Sequence, residues 1–202
     1  MPVHFEKKAI RALGIAESFA INDRFSTLVG VVMRSDLVVD GFGIGRLEVS
    51  GSDATESILT LFGKLKRNDI NLILLSGSVL SLYNIVDVDL LSEKARKPVV
   101  ALTFKKAKSD LARNISTKFD PAKGRAKIRL LEKLGTPKQL KLKTGYPVFV
   151  RAAGITNAEA NKIVDKFTLQ GAIPEPIRVA RLLAKAVSLF SKTVENQTEY
   201  LP

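Results

Sequence analysis

Short apolar runs separated by polar turns occupy the first 50 positions of the chain. Two of them, Ala12–Phe19 and Thr27–Arg34, are joined by a polar turn, and two shorter ones, Asp36–Asp40 and Arg46–Ser50, flank the glycine-rich stretch 41–45. This spacing predicts antiparallel strands. The glycine-rich stretch lies between two strand-like segments, whereas a phosphate-binding loop joins a strand to a helix. We therefore expect a turn or bulge there.

The pattern changes after position 53. Asp53 is the expected N-cap of a helix over Ala54–Arg67, and Glu56 completes a capping box. Continuous apolar runs at Asn71–Ser76 and Pro98–Phe104, with a helix around Val88–Arg96 between them, predict buried parallel strands. Three antiparallel strands followed by alternating helices and strands predict an α/β mixed sheet with helices on both faces. The RNase H-like arrangement fits this order best.

The second half adds further elements to the same domain. The predicted ones are a helix around Pro121–Leu134, strands at Gln139–Lys143 and Pro147–Ala153, a helix at Asn157–Phe167 and a closing helix over 174–192. No linker divides the chain, so we expect one domain over residues 1–202. The segment 105–143 and the closing helix are then additions to its core.

Charge singles out one stretch of the chain. The formal net charge is +12, and residues 105–143, here called the basic segment, hold 13 Lys and Arg against three acids. We expect the helix of this segment to direct Lys123, Arg125, Lys127, Arg129 and Lys133 largely outward. A local excess of one sign favours a nucleic-acid partner through phosphate neutralisation. A solvated lysine-rich surface and a face that docks an acidic protein remain alternatives.

Several classes of protein are disfavoured by composition. There is no cysteine, and His4 is the one histidine, which argues against thiol chemistry, histidine-based catalysis and a zinc site. No apolar run reaches the ~18 residues of a membrane span. A cytoplasmic protein that does not enter a membrane is the expectation.

Four collinear motifs carry a resemblance to a known family. They are Leu28–Arg34 (LVGVVMR), Gly51–Glu56 (GSDATE), Asn84–Asp87 (NIVD) and Ile173–Ala184 (IPEPIRVARLLA). Together they resemble an archaeal family of uncharacterised endonuclease V-like proteins, related to endonuclease V. The resemblance implies an RNase H-like fold and a nucleic-acid substrate. It also implies magnesium held by carboxylates for cleavage near a deaminated purine.

When the metal-binding positions that the resemblance implies are matched to this sequence one by one, most of the expected carboxylates are missing. The aspartate of the first strand is replaced by Ala16, and the aspartate at the end of the next central strand by Ser76. A position in the closing helix that is often His or Asp is Arg181. Asp53 is retained at the start of the first helix. It is the one metal ligand we retain as a candidate, although a helix cap is the commoner role for such a residue.

Nearby acids are possible substitutes. Glu17 follows Ala16, but successive side chains of a strand point to opposite faces, so Glu17 should point away from the site unless the strand bulges. Glu56 lies close to Asp53, and Asp87 is better explained as a helix cap. We therefore expect no catalytic residue and no cofactor, with magnesium only if the protein is active.

Four basic residues are candidates for phosphate contacts. Lys105 and Lys106 follow a buried strand, and Arg178 and Arg181 lie on the closing helix. Arginine can bind a phosphate through two hydrogen bonds. Arg178 can equally pair with Glu175.

The sequence thus predicts a nucleic-acid-binding protein, DNA or RNA, on an endonuclease V-like scaffold with a degenerate catalytic site. Two alternatives stay open. One is an active magnesium-dependent endonuclease on inosine-containing strands that uses displaced carboxylates. The other is a structural subunit that docks an acidic partner.

Overall fold

A seven-stranded mixed sheet is the centre of the fold in the computed structural model, which describes residues 10–104 and 110–198. The strands are β1 (Arg11–Ser18), β2 (Phe25–Arg34), β3 (Val39–Glu48), β4 (Leu72–Leu75), β5 (Val79–Leu80), β6 (Asn84–Ile85), β7 (Val99–Thr103), β8 (Lys138–Lys141) and β9 (Pro147–Ala153). Their order in the large sheet is β3-β2-β1-β4-β7-β9-β8, and β5 and β6 form a separate small hairpin. β1, β4 and β7 are parallel, and the outer strands pair antiparallel.

Helices cover both faces of the sheet. They are α1 (Ala54–Lys64), α2 (Val88–Ala95), α3 (Leu111–Lys118), α4 (Pro121–Leu134), α5 (Asn157–Lys166) and α6 (Glu175–Thr198). One core lies between the sheet and α1 and α2, and the other lies under α5 and α6. The predicted mixed α/β architecture is therefore confirmed. No helix within the described residues is long and apolar enough to cross a membrane.

Gly14 allows α6 to lie directly on the central strand. A Cβ added to Gly14 would stand 2.6 Å from Pro176 Cβ, far inside van der Waals contact. The first turn of α6 therefore crosses β1 at this glycine. From there the helix runs along β1 and β2, and Ala180 and Ala184 face Ala16.

Of the turn or bulge predicted at 41–45, the turn is wrong, and a bulge-like register shift is present at Gly41. This stretch is the middle of β3, which pairs with β2 along its length. A register shift occurs at Val32 and Met33, opposite Gly41, whose φ is +149°. Gly43 and Gly45 remain in regular pairing and face α1, so their missing side chains let that helix approach the sheet.

Candidate functional site

Three positions of the implied metal site meet at the carboxyl ends of β1 and β4. The backbone N–H of Ser76 donates to the carbonyl of Ile15 at 2.9 Å, which holds the end of β4 beside β1. Arg181, from α6, donates from Nε to Ser76 Oγ at 2.8 Å. Ala16 lies on the same face of β1 as α6. The structure thus places Ser76 against Arg181, with Ala16 on the neighbouring strand under the same helix.

Ala16 presents only a methyl group to this site. It is fully buried, and its neighbours are Val29 and Val31 of β2 and Ala180 and Ala184 of α6. All of these side chains are apolar. Ala16 therefore packs α6 onto the sheet and offers nothing that can bind a cation.

The guanidinium of Arg181 is fixed by two contacts. Its Nε bonds Ser76, and its Cζ lies 4.7 Å from the centre of the Phe104 ring, a cation–π geometry. Burial lowers the pKa of Arg181 from its ordinary value, and the negative charge of Glu17 acts in the opposite direction. Arginine keeps its proton in either case. The site therefore contains a permanent positive charge.

Glu17 is directed to the other face of β1. Its carboxylate accepts hydrogen bonds from Ser26 Oγ at 2.8 Å and from the backbone N–H of Ser81 at 3.1 Å. These bonds tie the β5–β6 hairpin to β1 and β2. No bulge interrupts the pairing of β1 with β2 at this position.

Asp53 does not form the predicted capping box with Glu56. Its carboxylate instead accepts from the backbone N–H of Glu48 at 3.2 Å and from Asn84 Nδ2 at 2.6 Å. Asn84 Oδ1 takes the capping role by accepting from the Ala54 N–H at 2.9 Å. The prediction fails because a residue 30 positions away satisfies the start of α1. Glu56 is exposed.

These acids do not form a magnesium site. Within residues 10–104 and 110–198, no three Asp, Glu, His or Cys side chains are grouped so that they could hold a metal ion. Glu17 and Asp53 are each engaged by protein donors, and Ser76 is a neutral hydroxyl already bonded to a cation. Magnesium prefers several oxygen donors, mostly anionic, in octahedral geometry. The side chains present do not fit it.

Beside Arg181 opens a pocket of about 860 Å³. It lies outside the carboxyl ends of β4 and β7, the edge where open α/β sheets commonly bind ligands. Its walls are largely apolar and include Leu82, Tyr83 and Leu102. Tyr83 is not an open stacking platform, because its ring meets the edge of Phe119 and Lys118 lies over it.

The same pocket contains an arginine that the sequence prediction missed. Arg151 donates to the carbonyl of Leu134 at 3.2 Å, to that of Gly135 at 2.9 Å and to Ser78 Oγ at 2.9 Å. Burial lowers the pKa of its guanidinium. Among the described residues, neither Arg151 nor Arg181 forms a salt bridge with a carboxylate. The sequence feature that could have indicated Arg151 is its position as a charged residue within the apolar strand β9.

The basic segment presents most of its charge to solvent. Within its described part, nine Lys and Arg side chains are exposed: Arg113, Lys118, Lys123, Arg125, Arg129, Lys133, Lys138, Lys141 and Lys143. The expectation that Lys127 points outward is wrong. Its side chain is buried, with 4% exposure, and donates to the carbonyls of Gly51 and Tyr83. Burial lowers its pKa, while Asp53 and Glu48 oppose that shift.

The remaining candidates divide into two groups. Lys105 and Lys106 lie outside the described residues. Arg178 donates from Nε to Glu175 Oε2 at 3.0 Å, and the two side chains form a salt bridge. The structural role foreseen for Arg178 is therefore present. Asp87 caps α2, as predicted, by accepting from the Leu90 N–H at 3.1 Å.

Comparison with known proteins gives a consistent family relationship. A family model described as Endonuclease dU matches residues 8–188. A UPF0215 protein from Pyrobaculum aerophilum is 34% identical over 182 residues, which cover 90% of this chain and 96% of that protein. Both matches span nearly the whole described fold.

Solved structures agree with the architecture. A protein of unknown function from Archaeoglobus fulgidus superposes with a TM-score of 0.74 at 29% identity, over 88% of this chain and 98% of that one. Endonuclease V from Ciona intestinalis, in complex with inosine-containing DNA, gives a TM-score of 0.57 at 16% identity over 89% and 85%. At that identity the likeness establishes the fold alone, which is RNase H-like.

Proposed function

Since the chain belongs to the Endonuclease dU family, we propose that it binds nucleic acid on an endonuclease V-like scaffold and has lost the catalytic metal site. One observation carries the proposal. Ala16 and Ser76 stand where the resemblance implies metal-binding carboxylates, and Arg181 bonds Ser76 at 2.8 Å. A guanidinium in that position repels a divalent cation and attracts an anion.

The basic segment supplies the wider binding surface. Its exposed cations, apart from Lys123 and Lys133, which form salt bridges with Asp120 and Asp87, can neutralise phosphates and release counterions, which gives affinity without sequence preference. Endonuclease V from Ciona intestinalis, which shares the fold, is described in complex with DNA. We extend the partner class, nucleic acid, to this chain. Lys105 and Lys106 remain proposed contacts on their sequence position alone.

The test is the salt dependence of binding. Fluorescence anisotropy with labelled single- and double-stranded DNA and RNA in EDTA should show affinity falling steeply between about 50 and 200 mM salt. The double variant Arg125→Gln/Arg129→Gln should lower the logarithmic slope by about 1.4–1.8, since each phosphate contact contributes about 0.7–0.9. The matched control, Lys64→Gln at an exposed position of α1, should leave the slope unchanged. Absence of binding to every nucleic acid at low salt would refute the proposal.

A second candidate is an active metal-dependent endonuclease. It is favoured by the description of the family model, Endonuclease dU, and by the retained Asp53. Its carboxylates would be a displaced set such as Glu17, Asp53 and either Glu56 or Asp87. The test is cleavage of inosine- and dU-containing strands with Mg²⁺ or Mn²⁺. Cleavage abolished by Asp53→Asn, and unaffected by Glu93→Gln at an exposed position of α2, would replace the first candidate with the second.

A further inference from the structure

Arg181 is held so that one edge of its guanidinium has no protein partner. Ser76 accepts from Nε, and Phe104 lies 4.7 Å from Cζ, so the orientation of the guanidinium plane is set. Within the described parts of the chain, the terminal nitrogens Nη1 and Nη2 have no hydrogen-bond partner, and no carboxylate forms a salt bridge with Arg181. Two parallel N–H donors on one planar edge match two oxygens of a phosphate.

The pocket beside this edge has the size and lining of a nucleotide site. Its volume of about 860 Å³ lies in the range of small-molecule sites. Leu82 and Leu102 give it apolar walls, which suit a sugar or base, and Arg181 and Ser76 stand at one side. Arg151 adds a second positive charge, although its bonds to Leu134, Gly135 and Ser78 employ its donors structurally. The pocket thus combines apolar surface with positive charge that no carboxylate among the described residues pairs.

We propose that this pocket binds the phosphate group of a nucleotide without a metal ion, with Arg181 as the phosphate ligand and Ser76 as its positioning residue. A cation site has in this chain become an anion site. The choice of phosphate over other anions rests on the proposed function. The phosphate can belong to a nucleic-acid strand or to a free mononucleotide, and the same chemistry serves both.

Calorimetric titration in EDTA tests the proposal directly. The ligands are the four common nucleoside monophosphates, the corresponding nucleosides and inorganic phosphate. We expect at least one monophosphate to bind about 10- to 100-fold more tightly than its nucleoside, the range for charge-assisted hydrogen bonds. Addition of Mg²⁺ should not raise the affinity. Affinity that appears only with Mg²⁺, or equal affinity for nucleoside and monophosphate, would overturn the proposal.

Variants identify the ligand residue. Arg181→Gln should weaken monophosphate binding about 10- to 100-fold. Lys185→Gln removes the same charge from an exposed position one turn along α6 and should change it less than about twofold. Arg181→Lys keeps the charge but loses the two-pronged edge, so its loss should be intermediate. Thermal unfolding confirms that each variant is folded, and a folded Arg181→Gln or Arg181→Lys with unchanged affinity would overturn the proposal.

Oligonucleotides separate the two sources of phosphate and the two proposals. Competition of a strand with the monophosphate, lost in Arg181→Gln, assigns the site to strand binding. Monophosphate binding that strands do not displace assigns it to a free nucleotide. If strands bind and Arg181→Gln leaves every phosphate affinity unchanged, this inference fails while the proposed function stands. If monophosphates bind through Arg181 and no nucleic acid binds, the proposed function fails instead.

Discussion

Ser76→Asp would place a carboxylate against the guanidinium of Arg181. Ser76 Oγ already lies 2.8 Å from Arg181 Nε, so the longer side chain can meet the same donor and the adjacent terminal nitrogen. The pair would neutralise the positive charge that the proposed phosphate site depends on. We therefore expect opposite changes in two properties: stability rises and phosphate affinity falls.

The size of the stability change follows from the geometry. Two unit charges about 4 Å apart attract by about 4 kcal/mol at an effective dielectric constant of about 20. Desolvation of the new carboxylate and loss of side-chain entropy oppose most of this in a partly buried site. A net gain of about 1–2 kcal/mol relative to Ser76→Asn is expected, which is about 2–8 °C in Tm for a chain of this length.

Ser76→Asn is the matched control, because it has the same shape and still accepts from Arg181 without the charge. Differential scanning fluorimetry between pH 2 and 7 gives the stability difference between the two variants. The new carboxylate has a lowered folded pKa, so its advantage is complete above its unfolded pKa of about 3.9 and is lost as the pH falls through the folded value. Equal stability of the two variants at pH 7, or unchanged phosphate affinity in Ser76→Asp, would refute the reasoning.

Three further substitutions test the supporting structure. Lys127→Met leaves two carbonyls without their donor, so the free energy of unfolding should fall by about 2–4 kcal/mol in urea denaturation. The control Lys123→Met, at an exposed position of the same helix, should change that free energy by less than about 0.5 kcal/mol. Gly14→Ala forces a methyl group into the first turn of α6 and should cost about 1–3 kcal/mol and weaken phosphate binding; unchanged stability would contradict the close approach. Burial tends to raise the pKa of Asp87, but hydrogen bonds from Lys133 and Leu90 outweigh it and hold that pKa below 3.8. The wild-type advantage over Asp87→Asn should therefore be full above pH 3.8 and vanish as the pH falls through the lower folded pKa.

Much of the fold is predictable because local pattern and final burial agree. The apolar runs that became β4 and β7 are buried on both faces, as parallel strands flanked by helices must be. The resemblance assigns Ala16, Ser76 and Arg181 to one implied site; in the structure Ala16 and Ser76 lie on the adjacent strand ends of β1 and β4, and Arg181 reaches Ser76 from α6. Alternation along β1 also predicts that Ala16 and Glu17 separate to opposite faces.

What the sequence could not predict depends on partners distant along the chain. Asp53 and Glu56 have the spacing of a capping box, yet Asn84 satisfies the start of α1 and Asp53 turns to Glu48. Lys127 lies in a charged helix but is buried, because two backbone carbonyls from other parts of the chain accept hydrogen bonds from its ammonium group. Local spacing has no information about such partners.

The turn that the glycine-rich stretch suggested is absent for a related reason. Glycines commonly signal turns, but here Gly43 and Gly45 serve the packing of α1 against β3. A glycine that is needed for close approach and one that is needed for a positive φ look the same in a sequence. Only Gly41 in this strand has a positive φ, and it lies at the register shift.

Magnesium dependence of binding and cleavage, followed together on one labelled inosine-containing strand, tests the central claim most directly. Affinity is read by anisotropy in EDTA and in Mg²⁺, and strand length is read on a denaturing gel after each titration. The replacement of metal-binding carboxylates by Ala16, Ser76 and Arg181 predicts an affinity in Mg²⁺ no higher than in EDTA, because the added cation only competes for the phosphates, and an intact strand. Binding that requires Mg²⁺, or a strand cut by the wild type and left whole by Asp53→Asn, would contradict it.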